Sequence, residues 1–229
     1  MMQGQNAWSP SRAGASVQRH RVLRNTYALL ALSMVPTVLG AWVGVSTGIT
    51  QAMGGVMSMV LFLAAAFGFI YAIEKTKNSM TGVWVLLAFT FFMGLMMSKL
   101  LSFVLGFRNG SELIMMAFAG TAAVFFTMAS LATTVKRDLS GMNQWLTIGA
   151  VVLLVGFVIN AFVASPAFMV ALSMIAVVIF SAFLLVDLRR IIDGGETNYI
   201  TATLSVYLSL VNIFQNLLAL LGIFGGDRE

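Results

Sequence analysis

The chain has 229 residues, of which 59% are hydrophobic and only 9% charged, with 13 Lys and Arg against 8 Asp and Glu. A soluble domain carries about 25% charged residues, so this composition excludes an ordinary water-facing surface. The formal net charge of +5 does not imply nucleic acid either, because no folded basic stripe is available to track a phosphate backbone.

Crossing the hydrocarbon as a helix takes about 20 apolar residues, and seven such runs follow one another: 25–46, 52–73, 80–103, 111–134, 143–164, 167–190 and 200–224. They predict an all-α membrane protein with seven transmembrane helices, a polar tail over 1–24, and a short C-terminal tail over 225–229. The tail holds no short apolar core with a small-residue cleavage site, so the first span is read as a retained signal anchor. No organelle-targeting pattern is present, and a bacterial inner membrane is the expected location.

Charge sets the expected orientation. With the N-terminus cytoplasmic, Arg12, Arg19, Arg21, Arg24, Lys75, Lys77, Lys136, Arg137, Arg189 and Arg190 all fall inside, leaving Lys99, Arg108 and Arg228 outside. Basic residues accumulate on the cytoplasmic side, which predicts an N-in, C-out topology. Trp42, Trp84 and Trp145 lie near span ends, at headgroup level, where an amphipathic ring is at home.

Within the first span, Gly40 and Gly44 form a GxxxG pattern and Pro36 interrupts the backbone ladder. Small faces of this kind let helices approach closely, and packing inside the bundle is the expected use. The 16 methionines read as adaptable packing. Linkers are short: STGITQA (46–52), EKTKNS (74–79), KRDLSGM (136–142), ASPA (164–167) and DGGETN (193–198). Successive spans are therefore expected to be antiparallel neighbours.

Two features carry chemistry. Asp187 is an acid near the end of the sixth span, at the unfavourable pole of the helix dipole. It either pairs with Arg190, three residues on, or turns inward, where burial penalises its charge and makes it a proton sensor or cation ligand. Arg189 reads as a topology charge. In the seventh span Thr201, Ser205, Ser209, Asn212 and Asn216 are spaced by four, four, three and four residues, which keeps them on one helical face. Lipid offers no partner to such a face, so this span is expected at the centre of the bundle. Lys99 snorkels and Glu112 faces it as a candidate partner, while Ser111 and Glu112 suit a helix start. There are no cysteines, and no HExxH or Walker pattern. A non-enzymatic protein without cofactor or catalytic residue is expected.

Val22-Leu-Arg-Asn-Thr-Tyr27, Ala117-Phe-Ala-Gly-Thr-Ala-Ala-Val-Phe125, Ile192-Asp-Gly-Gly-Glu-Thr-Asn-Tyr-Ile200 and Tyr207-Leu-Ser-Leu-Val-Asn-Ile-Phe214 together resemble the Bax inhibitor family, specifically its YccA branch of bacterial inner-membrane proteins. The likeness covers essentially the whole chain. It implies seven helices with the last one surrounded by the others. Its channel-like members use two acids, between the last two spans, as a pH-sensitive latch for calcium or cation leak. The first acid maps onto Asp187 and the second onto Ser209, beside Asn212, so this chain carries half of the pair. One acid and one hydroxyl cannot share a proton as two carboxylates do. A second departure is Gly94-Leu-Met-Met-Ser-Lys-Leu-Leu101, where the wider family has Gly-Pro in place of Ser98 and Lys99.

The YccA branch implies another role: binding and restraining the membrane-anchored AAA protease FtsH in membrane-protein quality control. In that reading Arg12, Arg19, Arg21 and Arg24 sit on a tail the protease engages. The alternative role is a pH-sensitive calcium or cation leak channel with Asp187, Ser209, Arg190 and Asn212 at its sensor. The partners implied are the protease, the lipid bilayer, and calcium or protons.

Overall fold

A computed structural model describes residues 10–53, 55–135 and 139–227 of the chain. Eight α-helices and no strand occur among the described residues: α1 (Pro10–Thr47), α2 (Ile49–Ala52), α3 (Gly55–Thr76), α4 (Met80–Leu105), α5 (Gly110–Thr134), α6 (Ser140–Val163), α7 (Pro166–Asp193) and α8 (Tyr199–Gly225). All but α2 are long and apolar enough to cross a membrane, so the seven expected spans are α1 and α3 to α8. Two details differ from the sequence reading. The linker after the first span contains the short α2, and α1 begins at Pro10, so residues 10–24 continue the first span as helix. Its 38 residues are about 57 Å long, against about 30 Å of hydrocarbon.

The described basic groups Arg21, Arg24, Lys75, Lys77, Arg189 and Arg190 gather at one end of the bundle, the end at which α1, α4, α6 and α8 begin. That end is called the basic end below. The other end carries the α4–α5 turn and the end of α8.

Helix α8 occupies the centre, packed against α1, α4, α5 and α7. Its buried residues point in every direction, among them Ala202, Thr203, Val206, Tyr207, Ser209, Ile213, Asn216 and Leu218. A helix covered all round must be apolar or internally satisfied all round, which the sequence of α8 achieves. By contrast α6 packs on α7, and α3 packs mainly on α4. Both present large side chains outward, such as Phe67 and Tyr71 on α3 and Val151, Val155 and Phe162 on α6.

The most extensive seam joins α1 to α4, and glycine makes it possible. A Cβ added at Gly40 would collide with the carbonyl oxygen of Phe91, one at Gly44 with the Ser98 side chain, and one at Gly94 with the carbonyl oxygen of Thr37. The GxxxG of the first span is thus consumed by backbone contact inside the chain.

Side-chain hydrogen bonds tie the spine together at three depths. In the middle, the Tyr207 hydroxyl lies 2.9 Å from Thr37 Oγ1 and 3.4 Å from the carbonyl oxygen of Thr90. Thr37 donates to the Ser33 carbonyl at 2.8 Å, so the Tyr207 proton is the one that serves the cross-helix contact. At the basic end, Asn198 Oδ1 accepts from the amides of Ile200 and Thr201 as the N-cap of α8. Its Nδ2 donates to Lys77 O at 2.8 Å and Asn78 Oδ1 at 3.0 Å. At the opposite end, Asn109 Nδ2 donates to Gly225 O at 2.6 Å while Asn109 Oδ1 accepts from Asp227 N at 3.2 Å. Two asparagines therefore strap the ends of the central helix to the two loops that flank α4. The N-cap of α5 is Asn109 rather than Ser111, and the helix begins at Gly110.

Candidate functional site

The chemistry at Asp187 begins with how α7 stops. Asp193 is the last helical residue, and Gly194 follows in the left-handed region with φ of 79°, a conformation glycine adopts without Cβ strain. The amides of Gly195 and Glu196 then fold back onto the carbonyl oxygen of Arg190, at 2.9 and 3.3 Å. Glu196 Oε1 in turn accepts from the amides of Thr197 and Asn198. The DGGETN linker is consequently a closed, hydrogen-bonded turn that delivers the chain into the Asn198 cap of α8.

This turn fixes where the arginines go. Arg190 Nη2 reaches Glu196 Oε2 at 3.9 Å, so its ion-pair contact goes to the glutamate of the turn, while its charge still attracts the Asp187 carboxylate. Arg189, only 17% exposed, runs the other way. Its Nη1 donates to the carbonyl oxygen of Ala132 at 3.1 Å, one of the last carbonyls of α5 and hence one without a partner inside its own helix. Arg189 Nε lies 2.8 Å from Asp193 Oδ2, yet its N–H has no aligned acceptor; the contact is a close ion pair without a directed hydrogen bond. Arg189 is therefore a clasp between α7 and the end of α5, a more specific role than the topology charge expected from sequence.

Asp187 itself is half-buried and lines a cavity of about 420 Å³ at the basic end, together with Leu139 at the N-cap of α6, Asn143 of α6, and Arg189, Arg190, Asp193 and Gly195 of α7 and its turn. The cavity mixes two acids with two guanidinium groups, one amide and apolar walls. Among the described residues, no hydrogen bond or ion pair engages the Asp187 carboxylate. A carboxylate in this position can hold a proton or a cation in exchange for water.

The polar face of α8 is laid out differently from the latch that the resemblance implied. Ser209 is 3% exposed, and neither it nor Asn212 lines the Asp187 cavity. Asn212 Nδ2 donates to Leu208 O and Asn216 Nδ2 to Asn212 O, each at 2.8 Å, so both amides are spent on carbonyls of their own helix. Thr201 bonds back to Asn198 O at 3.1 Å. Of the four candidate sensor residues, Asp187 and Arg190 share the cavity, and Ser209 and Asn212 lie elsewhere on α8. Lys99 and Glu112 are both exposed and form no ion pair with each other among the described contacts.

In the N-terminal segment, Arg12 and Arg19 fall within α1, and Arg21 and Arg24 further along the same helix are exposed; residues 1–9 of the tail lie outside the described residues. Among the described residues no three His, Asp or Glu side chains converge as a metal-binding group. Sequence reasoning missed Tyr207, Asn109 and Asn198. The spacing of Tyr199, Thr203 and Tyr207, every fourth residue, is a second polar stripe beside the one singled out, and was the available signal for Tyr207.

Comparison with known proteins agrees with this architecture. Residues 19–226 match the family model described as inhibitor of apoptosis-promoting Bax1. The chain is 37% identical over 215 residues to an uncharacterised protein of Neisseria meningitidis serogroup A, covering 93% of this chain and 95% of that one. It is 39% identical over 208 residues to the Escherichia coli K12 protein named modulator of FtsH protease YccA, covering 91% and 92% respectively. The same identity and coverage hold for the protein of E. coli O6:H1 named inner membrane protein YccA. With the family model spanning nearly the whole chain and seven membrane-length helices, the last of them central, the chain belongs to the Bax inhibitor family of integral membrane proteins.

Proposed function

We propose that this integral inner-membrane protein binds and restrains an FtsH-type membrane-anchored protease in membrane-protein quality control, acting without catalysis of its own. The observation that carries this reading is the 39% identity over 91% of the chain to the E. coli modulator of FtsH protease. The fold is compatible with it. A protein that meets a processive protease without being consumed benefits from a spine that resists opening, and α1, α4 and α8 supply one through glycine contacts and cross-helix hydrogen bonds. With the N-terminus cytoplasmic, residues 1–24 form the segment that the protease engages. The test is affinity purification from membranes containing the protease, with the full chain and with residues 1–24 removed. Co-purification with the full chain and its loss on truncation supports the reading; absence of the protease from both preparations refutes it.

One observation favours a second reading, a pH-sensitive cation leak: the Asp187 carboxylate lines a cavity and makes no hydrogen bond or close ion pair among the described residues. In that reading, Asp187→Asn abolishes the pH dependence of calcium flux into liposomes. An unchanged pH profile would remove Asp187 as the sensor.

A further inference from the structure

Away from the Asp187 site, the bundle has a gap in its wall. In the basic half, α1 and α5 meet through Tyr27 and Phe125, whose rings touch edge to face with centroids 6.2 Å apart. In the other half they separate and leave an apolar groove of about 750 Å³, floored by α4 and α8. Its lining runs from Thr37 to Val45 on α1, from Met97 to Leu105 on α4 and from Ile114 to Thr121 on α5. At 1.5 Å per residue these stretches are each about 10–12 Å long, close to half of the roughly 30 Å hydrocarbon thickness. The groove therefore lies within one leaflet, the one at the end opposite the basic residues.

The floor is buried at Met97 and Val211, whereas the walls at Val38, Trp42, Met115 and Phe118 are 65%, 67%, 71% and 66% exposed. The two hydroxyls in the lining are already committed: Thr37 donates to Ser33 O and Thr121 to Ala117 O, both at 2.8 Å. Nothing in the groove asks for a polar ligand, and the occupant must be apolar there.

Size and charge narrow it further. A transmembrane helix with side chains is a stiff rod about 10–12 Å across, which this groove could seat only along one side. A helix would also have to continue past Tyr27 and Phe125, where the gap is shut. A flexible hydrocarbon chain meets neither obstacle. At the open end, Arg108 in the α4–α5 turn and Glu112 in the first turn of α5 are both exposed. One cation and one anion at headgroup depth complement a headgroup that bears both a phosphate and an ammonium.

We propose that this groove holds one acyl chain of a zwitterionic aminophospholipid, with its phosphate at Arg108 and its ammonium at Glu112. The full chain is reconstituted in liposomes of phosphatidylethanolamine and phosphatidylglycerol, each lipid carrying in turn a photoactivatable acyl chain, and labelled residues are mapped by mass spectrometry. Phosphatidylethanolamine labels Trp42, Met115 and Phe118 about tenfold more than Val151 and Val155 on the open face of α6, a factor that corresponds to a modest binding preference. Filling the groove by Ala119→Phe brings its labelling down to the α6 level without lowering the unfolding temperature. Glu112→Gln removes the preference for phosphatidylethanolamine over phosphatidylglycerol. Equal labelling of groove and α6 in the unaltered protein overturns the proposal, whatever the variants do. Equal labelling of the groove by the two lipids overturns the headgroup assignment.

Discussion

Tyr207 is fully buried at the middle of α8, and its hydroxyl reaches from the central helix to both α1 and α4. Removing that hydroxyl by Tyr207→Phe keeps the ring contact with Phe89 but takes the cross-helix donor away from Thr37 Oγ1. A cost of about 1 kcal/mol is expected, read as a lower midpoint on unfolding in mixed detergent. Asn198→Ala takes away both a helix cap and the strap to the α3–α4 loop. Loss of such a cap alone is worth about 0.5–2 kcal/mol, so this change should exceed Tyr207→Phe in the same measurement; an equal or smaller effect would show that the strap carries little. At this scale the sequence was informative about position and much less about role. The spacing of Thr201, Ser205, Ser209, Asn212 and Asn216 correctly placed α8 inside the bundle. It could not say that Asn212 and Asn216 would satisfy themselves on their own helix, because i−4 carbonyls compete with any cross-helix partner. Nor could local spacing foresee that Arg190 would turn to Glu196, since that choice depends on the left-handed Gly194 reversing the chain.

Between elements, the α1–α4 seam leaves the least room. Gly40 and Gly94 sit where any side chain meets backbone, which cannot shift as a flexible side chain would. Gly94→Val and Gly40→Val are each expected to lower the unfolding temperature substantially, at or above the 1–3 kcal/mol typical of overpacking. Gly68→Ala on α3, where an added Cβ meets open space, should be neutral or slightly stabilising. Equal effects at all three positions would contradict close backbone contact as the cause. Helix positions were legible because runs of about 20 apolar residues have one stable form in lipid. The helical stretch from Pro10 to Arg24 was not, because its small and basic residues carry no apolar period. The proline at its start, a residue favoured in the first helical turn, was the local clue.

For the molecule as a whole, the contacts separate a fixed spine of α1, α4 and α8 from the outlying α3 and α6. Parallel helices α4 and α8 are linked near both ends and in the middle, so they are expected to open as one unit rather than helix by helix. That cooperativity is what the proposed role asks of a protein held by a processive protease. The seven-span architecture was readable from hydropathy and charge, and the central position of α8 from its polar stripe and family resemblance. The groove between α1 and α5 was not, since it depends on how two helices diverge above the Tyr27–Phe125 contact. The central claim is most directly tested in proteoliposomes containing an FtsH-type protease and a labelled membrane substrate, with this protein added at increasing ratio. Substrate turnover should fall with added protein while the protein itself stays intact, and truncation of residues 1–24 should restore turnover. Unchanged substrate turnover at every ratio, or rapid degradation of the added protein, would contradict the account.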